Sequence, residues 1–190
     1  MLTLADLDTR HSIPTRQLGE PGPSPTQLLR MLQTAVRVPD HGKRVPFRFL
    51  RIEGNARQAL ADAAAARLRQ REPGVDTALE DKLRSRFTVP PVTVAIIARL
   101  GVDAKIPEVE RFISASFTSL MLLLAAHAEG FGAQLLTGWI SYDRPFLEDT
   151  LGLAADEQLI GTIAIGTPLI EVRDRVRPDA AELLSDWVPR

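Results

Sequence analysis

At 190 residues, with 23 basic and 24 acidic side chains and a formal charge of −1, the chain is long enough for one domain with a substantial core. Near-neutrality leaves no overall field to attract nucleic acid or an anionic membrane surface. Cysteine is absent, which excludes disulfides, thiolate catalysis and cysteine-ligated metal or iron–sulfur centres and suits a reducing, cytoplasmic setting.

The first residues, MLTLADLDTRHS, lack a basic region followed by an apolar stretch, so no secretory signal is expected. A short helix over Leu4–Asp8 leads to Arg10, His11 and Ser12. After a turn-rich arm, Leu18–Pro25, Ser24 has the character of an N-cap, with Pro25 at the first helical position and Gln27 completing a capping box. The helix that follows carries Leu28, Leu29, Leu32, Ala35 and Val36 on one face and stops at Pro39. Arg37–Pro46 is an irregular loop with three basic residues and a histidine. Phe47–Glu53 reads as a strand. Gly54-Asn55 opens a helix that runs to about Arg71 and is broken by Pro73-Gly74, and a shorter charged helix covers roughly Thr77–Phe87. Val92–Ala98 is β-branched with apolar residues on both faces, the pattern of a central strand.

Glu108–Ala128 reads as the central helix. From Phe112 to Ala128 it carries no formal charge, and a helix apolar nearly all round has to be buried on most sides. A chain of this size can hardly surround it, so part of its surface is expected to face a second subunit. A membrane span needs about 20 strongly apolar residues; this run is shorter and is interrupted by Ser114, Ser116, Thr118, Ser119 and His127. Gly130 and Gly132 stop the helix. A short extended segment is expected over Leu135–Ile140, then a helix capped by Asp143 and a second buried strand over Leu159–Gly166. The tail carries Arg173, Arg175 and Arg177 and ends in Leu183, Leu184 and Trp187. Long helices interleaved with about four strands give an α+β or α/β class.

Four constellations could carry chemistry. Arg10, His11 and Ser12 with Arg16 place two guanidiniums about a hydroxyl, a set suited to phosphate or another anion, although basic residues after a short helix are commonly just solvated. Arg37 and His41 flank Pro39-Asp40 in irregular backbone, where binding residues are often placed. Asp40 could orient His41 as a base, but no G-x-S-x-G nucleophile elbow accompanies it. Three histidines without HExxH or related spacing give no expectation of a metal site. Gly130–Gly138 lets backbone N–H groups approach a planar ligand, yet it is not G-x-G-x-x-G, and a helix C-cap with a turn accounts for it as well. His127 reads as a core or interface residue. Arg173, Arg175 and Arg177 alternate, so they would share one side of an extended segment and could meet one anion or form a solvated run.

Taken together, the order of these motifs resembles the nitroreductase family of flavoproteins. The resemblance rests on Arg10-His11-Ser12 with Arg16, on Arg37-Val-Pro-Asp-His41, and on Pro46-Phe47-Arg-Phe49 running to Ile52-Glu-Gly54. It rests also on Ala125-Ala-His-Ala-Glu-Gly-Phe-Gly132 and Ile163-Ala-Ile-Gly-Thr-Pro168. It covers nearly the whole chain, taken as a single FMN-binding domain over 1–190, and is closest to the minimal members. It implies an α+β fold with a central mixed or antiparallel sheet flanked by helices, and an intertwined homodimer with FMN at its interface. By position, Arg10, His11 and Ser12 would grip the flavin's phosphate and ribityl end. Arg37 and His41 would come from the same or the partner subunit, Leu135, Leu136 and Thr137 would line the isoalloxazine, and Arg175 would complete the phosphate site. The Ala125–Gly130 turn is where nicotinamide would enter.

The implied activity is FMN-dependent NAD(P)H oxidoreduction of nitroaromatic or quinone-like acceptors. Hydride from NADH or NADPH passes in ping-pong order through flavin N5, and the chemistry resides in the cofactor. No catalytic side chain is needed, and no nucleic-acid or membrane partner is expected. Two departures stand out. An amide and a tryptophan common around Val45-Pro46-Phe47 are replaced, and a Trp-Arg-Ser lining has become Leu135-Leu136-Thr137, which removes a cation that Arg44 could replace. A flavin-binding or sensing protein of the same fold with little turnover is the alternative. A cofactor-free structural domain is a third reading, opposed by the order of the motifs.

Overall fold

The computed structural model describes residues 3–189. Strand β3 (Val92–Arg99) is buried at every position but its last. With no polar face to offer water it is paired on both sides, by β2 (Phe47–Glu53) on one edge and β5 (Glu157–Pro168) on the other, both antiparallel. The twelve-residue β5 outlasts β3, and its far end receives β4 (Gly132–Leu136) and the two-residue β1 (Leu18–Gly19). The sheet therefore runs β1-β5-β3-β2 with β4 also beside β5, five strands where about four were expected. All these ladders are antiparallel. One parallel bridge, Ser12 to Ala133, lays the N-terminal segment along β4.

The expected extended segment over Leu135–Ile140 is displaced. The strand starts at Gly132, opposite Gly166, and Trp139–Ser141 is a single 3₁₀ turn. Gly132 is a packing glycine: a Cβ there would come within 2.8 Å of Leu18 and 2.9 Å of Ile13. Its sequence reading as a helix stop missed that the backbone needs close approach there.

Helices cover both faces. On one side α3 (Asn55–Arg71), α4 (Thr77–Thr88) and α6 (Arg144–Asp149) enclose Leu60, Leu68, Phe87, Ile97 and Phe146. On the other, α2 (Pro25–Ala35) and α5 (Glu108–Ala128) enclose Met31, Ile96, Leu122 and Ile163. The Ser24–Gln27 capping box and Asp143 cap form as their spacing requires. Two short helices, α1 (Leu4–Asp8) and α7 (Ala180–Leu183), lie near the chain ends.

Helix α5 lies on the sheet through small side chains, among them Ser114, Ala115, Thr118 and Ala126. By length and composition alone it could cross a membrane; here one side packs into the core. Its other side is open. Val109, Phe112, Ile113, Phe117 and Leu120, which recur on one helical face, are between 38% and 61% exposed. The tail is open too, with Leu183, Leu184, Trp187 and Val188 all exposed.

Two carboxylates pin the periphery. Asp143 accepts Arg67 at 2.7 and 3.1 Å and Arg71 at 2.9 Å. Burial opposes its ionisation, but the two guanidiniums and the Phe146 N–H outweigh that and hold it at about 2. Glu157 accepts Arg48 at 2.7 and 2.6 Å. That pair, against the cost of burial and helped by the Ala154 N–H, lowers it to about 2.

Candidate active site

A cleft of about 430 Å³ opens at the C-terminal end of α5. Arg10, His11 and Ile13 line it with Leu123 and His127 of α5, Phe131 to Ala133 entering β4, and Pro168 and Ile170 to Val172 of the tail. Its size falls within the roughly 300–1,000 Å³ typical of small-molecule sites. Ile13 N–H donates to the Ala133 carbonyl at 3.1 Å, and Thr15 N–H donates to Gln134 Oε1 at 2.9 Å. These bonds hold Arg10 to Ser12 beside the strand. His127 is not simply a core residue: its Nε2 lies 3.0 Å from the Asp6 carbonyl and 3.2 Å from Thr9 Oγ1. A carbonyl only accepts, so Nε2 carries the proton, and α1 is fastened to the cleft.

The tail approaches from the other side, with His11 Nε2 3.1 Å from Asp174 Oδ1. An acid, which the sequence did not single out, thus meets the N-terminal segment. The hydrogen bonds of Arg177 and of the Arg175 N–H hold Asp174 below the usual carboxylate range. Arg177 is committed to Asp174 at 2.7 Å, so the three tail arginines do not act as a trio.

Partnering sorts the arginines into two populations. Arg44, Arg48, Arg57, Arg67, Arg71, Arg84 and Arg144 close onto carboxylates or carbonyls. Among the described residues, the side chains of Arg10, Arg16, Arg37, Arg86, Arg173 and Arg175 make no such hydrogen bond or ion pair. Arginine stays charged and offers five donors, so an unpaired set is a set available to an anion. Arg10, Arg37 and Arg175, the three assigned from sequence to a cofactor, all belong to it.

His41 does not join Arg10 and His11 within one chain. His41 Nδ1 lies 2.6 Å from Glu110 Oε2, in the first turn of α5, whereas His127 is in its last. At about 1.5 Å of rise per residue, the two ends are roughly 25 Å apart. His41 and the cleft holding Arg10 and His11 therefore occupy opposite ends of one helix. Further along the loop that runs to Pro46, Lys43 and Val45 take left-handed backbone, φ 53° and 48°, at roughly 1–2 kcal/mol each.

Leu135 faces the α5 side of the sheet, and Leu136 packs against the cluster of Ile13, Leu18 and Ala164. Leu136 and Thr137 border a narrow crevice shared with Arg86 and Phe87. Arg44 donates to Asp103 at 2.6 Å and is no spare charge. The unpaired cation beside this segment is Arg86, whose Nη1 lies 3.7 Å from where a Gly138 Cβ would stand. Arg86 and Asp174 were missed because nothing local marks them; only the fold brings them to these segments.

The nitroreductase family model matches residues 7–167. YdjA of Escherichia coli strain K12, which bears the name of an NAD(P)H nitroreductase, is 28% identical over 168 residues, 86% of this chain and 88% of that protein. A Haemophilus influenzae protein named likewise is 29% identical over 170 residues, 88% and 89% of the two chains. Among solved structures, a nitroreductase-like protein from Bacillus cereus superposes with a TM-score of 0.80 at 20% identity, covering 97% of this chain and 96% of that one. A Desulfovibrio desulfuricans nitroreductase in complex with FMN gives 0.73 at 26%, covering 98% and 97%. The five-stranded antiparallel sheet, the cleft at the end of α5 and a family match running from the N-terminal helix to the end of β5 agree: this chain belongs to the nitroreductase family.

Proposed function

We propose that this protein is a cytoplasmic, homodimeric, FMN-dependent NAD(P)H oxidoreductase that reduces nitroaromatic or quinone-like acceptors. The oxidoreductase class follows from the family; the cofactor and acceptors rest on the site. The observation that carries the reading is the separation of Arg10 and His11, at the C-terminal end of α5, from His41, at its N-terminal end, along a helix whose open side is apolar. Two copies packed antiparallel through Val109, Phe112, Ile113, Phe117 and Leu120 would cover that side. They would also bring each chain's Arg37–His41 loop to the other chain's cleft. The exposed Leu183, Leu184 and Trp187 of the tail suit an arm that wraps the partner, as an intertwined dimer requires.

The donor set fits FMN. Arg10 and Arg175 would hold the phosphate, His11 and Ser12 the ribityl chain, and the partner's Arg37 and His41 would complete the enclosure. Leu135, Leu136 and Thr137 would flank the ring and keep water from it. Bound there, FMN would supply the redox chemistry, hydride transfer between NADH or NADPH and the acceptor. His127 and the Ala125–Gly130 turn border the cleft where the nicotinamide would enter.

The test is the visible spectrum of the purified protein, identification of released chromophore, and NAD(P)H oxidation with a quinone or a nitroaromatic. FMN at about one per chain with acceptor-dependent turnover supports the reading; a colourless protein that takes up no added FMN sinks it. A flavin-binding protein with little turnover is the second reading. It is favoured by the apolar Leu135 and Leu136 in the segment that this reading assigns to the ring, and predicts FMN uptake without acceptor reduction.

A further inference from the structure

The loop from Asp40 to Pro46 is held more firmly than an exposed connection needs. Gly42, Lys43 and Val45 all take left-handed backbone, φ 71°, 53° and 48°. Val45 is β-branched, the kind of side chain least suited to that region, and it is 54% exposed, so little burial offsets the strain. Asp40 holds the shape. Its Oδ1 accepts the Arg44 N–H at 3.1 Å and its Oδ2 accepts the Val45 N–H at 2.8 Å.

A second loop locks the first. Asp103 accepts the N–H groups of Lys105 and Ile106 at 2.8 and 2.9 Å, and Arg44 Nε donates to it at 2.6 Å. Ile106 sits against Gly42, where a Cβ would meet it at 3.3 Å. With His41 tied to Glu110, the N-terminus of α5 carries a rigid, surface-exposed finger.

Strain that is maintained by dedicated acceptors and not offset by burial suits an element ordered in advance of binding. We propose that Asp40 is a positioning residue for the cofactor site: it fixes loop 40–46 in the shape in which the cleft of a second copy receives it around FMN. This rests on the dimeric FMN reading above and extends it to a residue outside the set assigned to the cofactor. Asp40 acts through the backbone of Arg44 and Val45, and so through the placement of His41.

The experiment is an FMN titration followed by flavin fluorescence, with the oligomeric state read by light scattering. Asp40→Ala removes two N–H···carboxylate bonds and is expected to weaken FMN binding by about tenfold or more while the dimer persists. Val45→Gly removes the left-handed penalty that Asp40 counters, so the Asp40→Ala/Val45→Gly protein should regain most of that affinity. Asp40→Asn keeps one acceptor oxygen and should fall between; it and the double variant carry the test if Asp40→Ala does not fold. An Asp40→Ala affinity equal to wild type, or one that Val45→Gly does not recover, overturns the proposal and leaves the FMN reading standing. Wild-type protein that binds no FMN overturns both.

Discussion

His127 and Asp6, 121 residues apart in sequence, are joined by a hydrogen bond of 3.0 Å from the imidazole Nε2 to the backbone carbonyl. Through it the last turn of α5 determines where α1 ends and hence where Arg10 begins. His127→Ala should free α1, seen as faster amide exchange over residues 4–9, and weaken FMN binding about three- to tenfold, the worth of one ordinary hydrogen bond. His127→Gln, which keeps a side-chain N–H donor, should recover part of that. Unaltered exchange in His127→Ala would count against the bond as the fastening.

The opposite placement of Arg10 and His41 makes a prediction that only shared sites satisfy. Arg10→Ala and His41→Ala should each bind FMN poorly as pure proteins. Mixed in equal amounts and allowed to exchange subunits, they should recover tight binding at about a quarter of the sites, because about half of the dimers are then mixed and one site of each mixed dimer has both side chains. Sites built within one chain would show no recovery.

In the proposed dimer, charging the open face of α5 should separate the two copies. Phe117→Asp or Leu120→Asp is expected to turn a dimer into a monomer at micromolar concentration and to abolish FMN uptake with it. Helical content should be retained, since neither side chain packs into the chain's own core. Sedimentation and circular dichroism decide the point.

Acid should unfold the protein through Asp143 and Glu157. Both carboxyls are lowered to about 2 from ordinary values of 3.8 and 4.5. Groups with depressed folded values stabilise above their unfolded pKa and lose that contribution as pH falls through the folded one. The loss should therefore run from about pH 5 to about pH 2, of the order of 1–2 kcal/mol apiece after screening. Asp143→Asn should flatten part of this slope in denaturation midpoints measured across that window.

Arg86 and Arg67 lie on the neighbouring helices α4 and α3 but belong to different populations. Arg67→Met leaves Asp143 short of a partner and should lower the thermal midpoint by several degrees. Arg86→Met breaks no hydrogen bond or ion pair and should leave it nearly unchanged. Equal losses in both would mean that Arg86 has a structural role its surroundings do not reveal.

Most of the architecture was legible because it is written locally. The Ser24–Gln27 box, the β-branched run Val92–Ala98 and the uncharged stretch Phe112–Ala128 each determine their element by spacing alone. Gly132 was misread because a packing glycine and a helix-stopping glycine look the same until Ile13 and Leu18 arrive above it. The site divides in the same way. Arg10, His11, Arg37 and His41 could be named from the order of their motifs, and the first two line one cleft. That His41 sits at the far end of α5 is a matter of three-dimensional distance. Asp174 and Arg86 have no sequence signature, since their significance lies in which charges remain unpartnered after folding.

The span of α5 between Glu110 and His127 has one more consequence. In a dimer whose sites are each completed from opposite ends of two such helices, this segment is a ruler. One residue inserted in it would lengthen it by about 1.5 Å and turn one end by about 100° relative to the other, misaligning both sites at once. Loops elsewhere can grow or shrink without that penalty, so across divergent relatives the number of residues in this helix should vary far less than their identity.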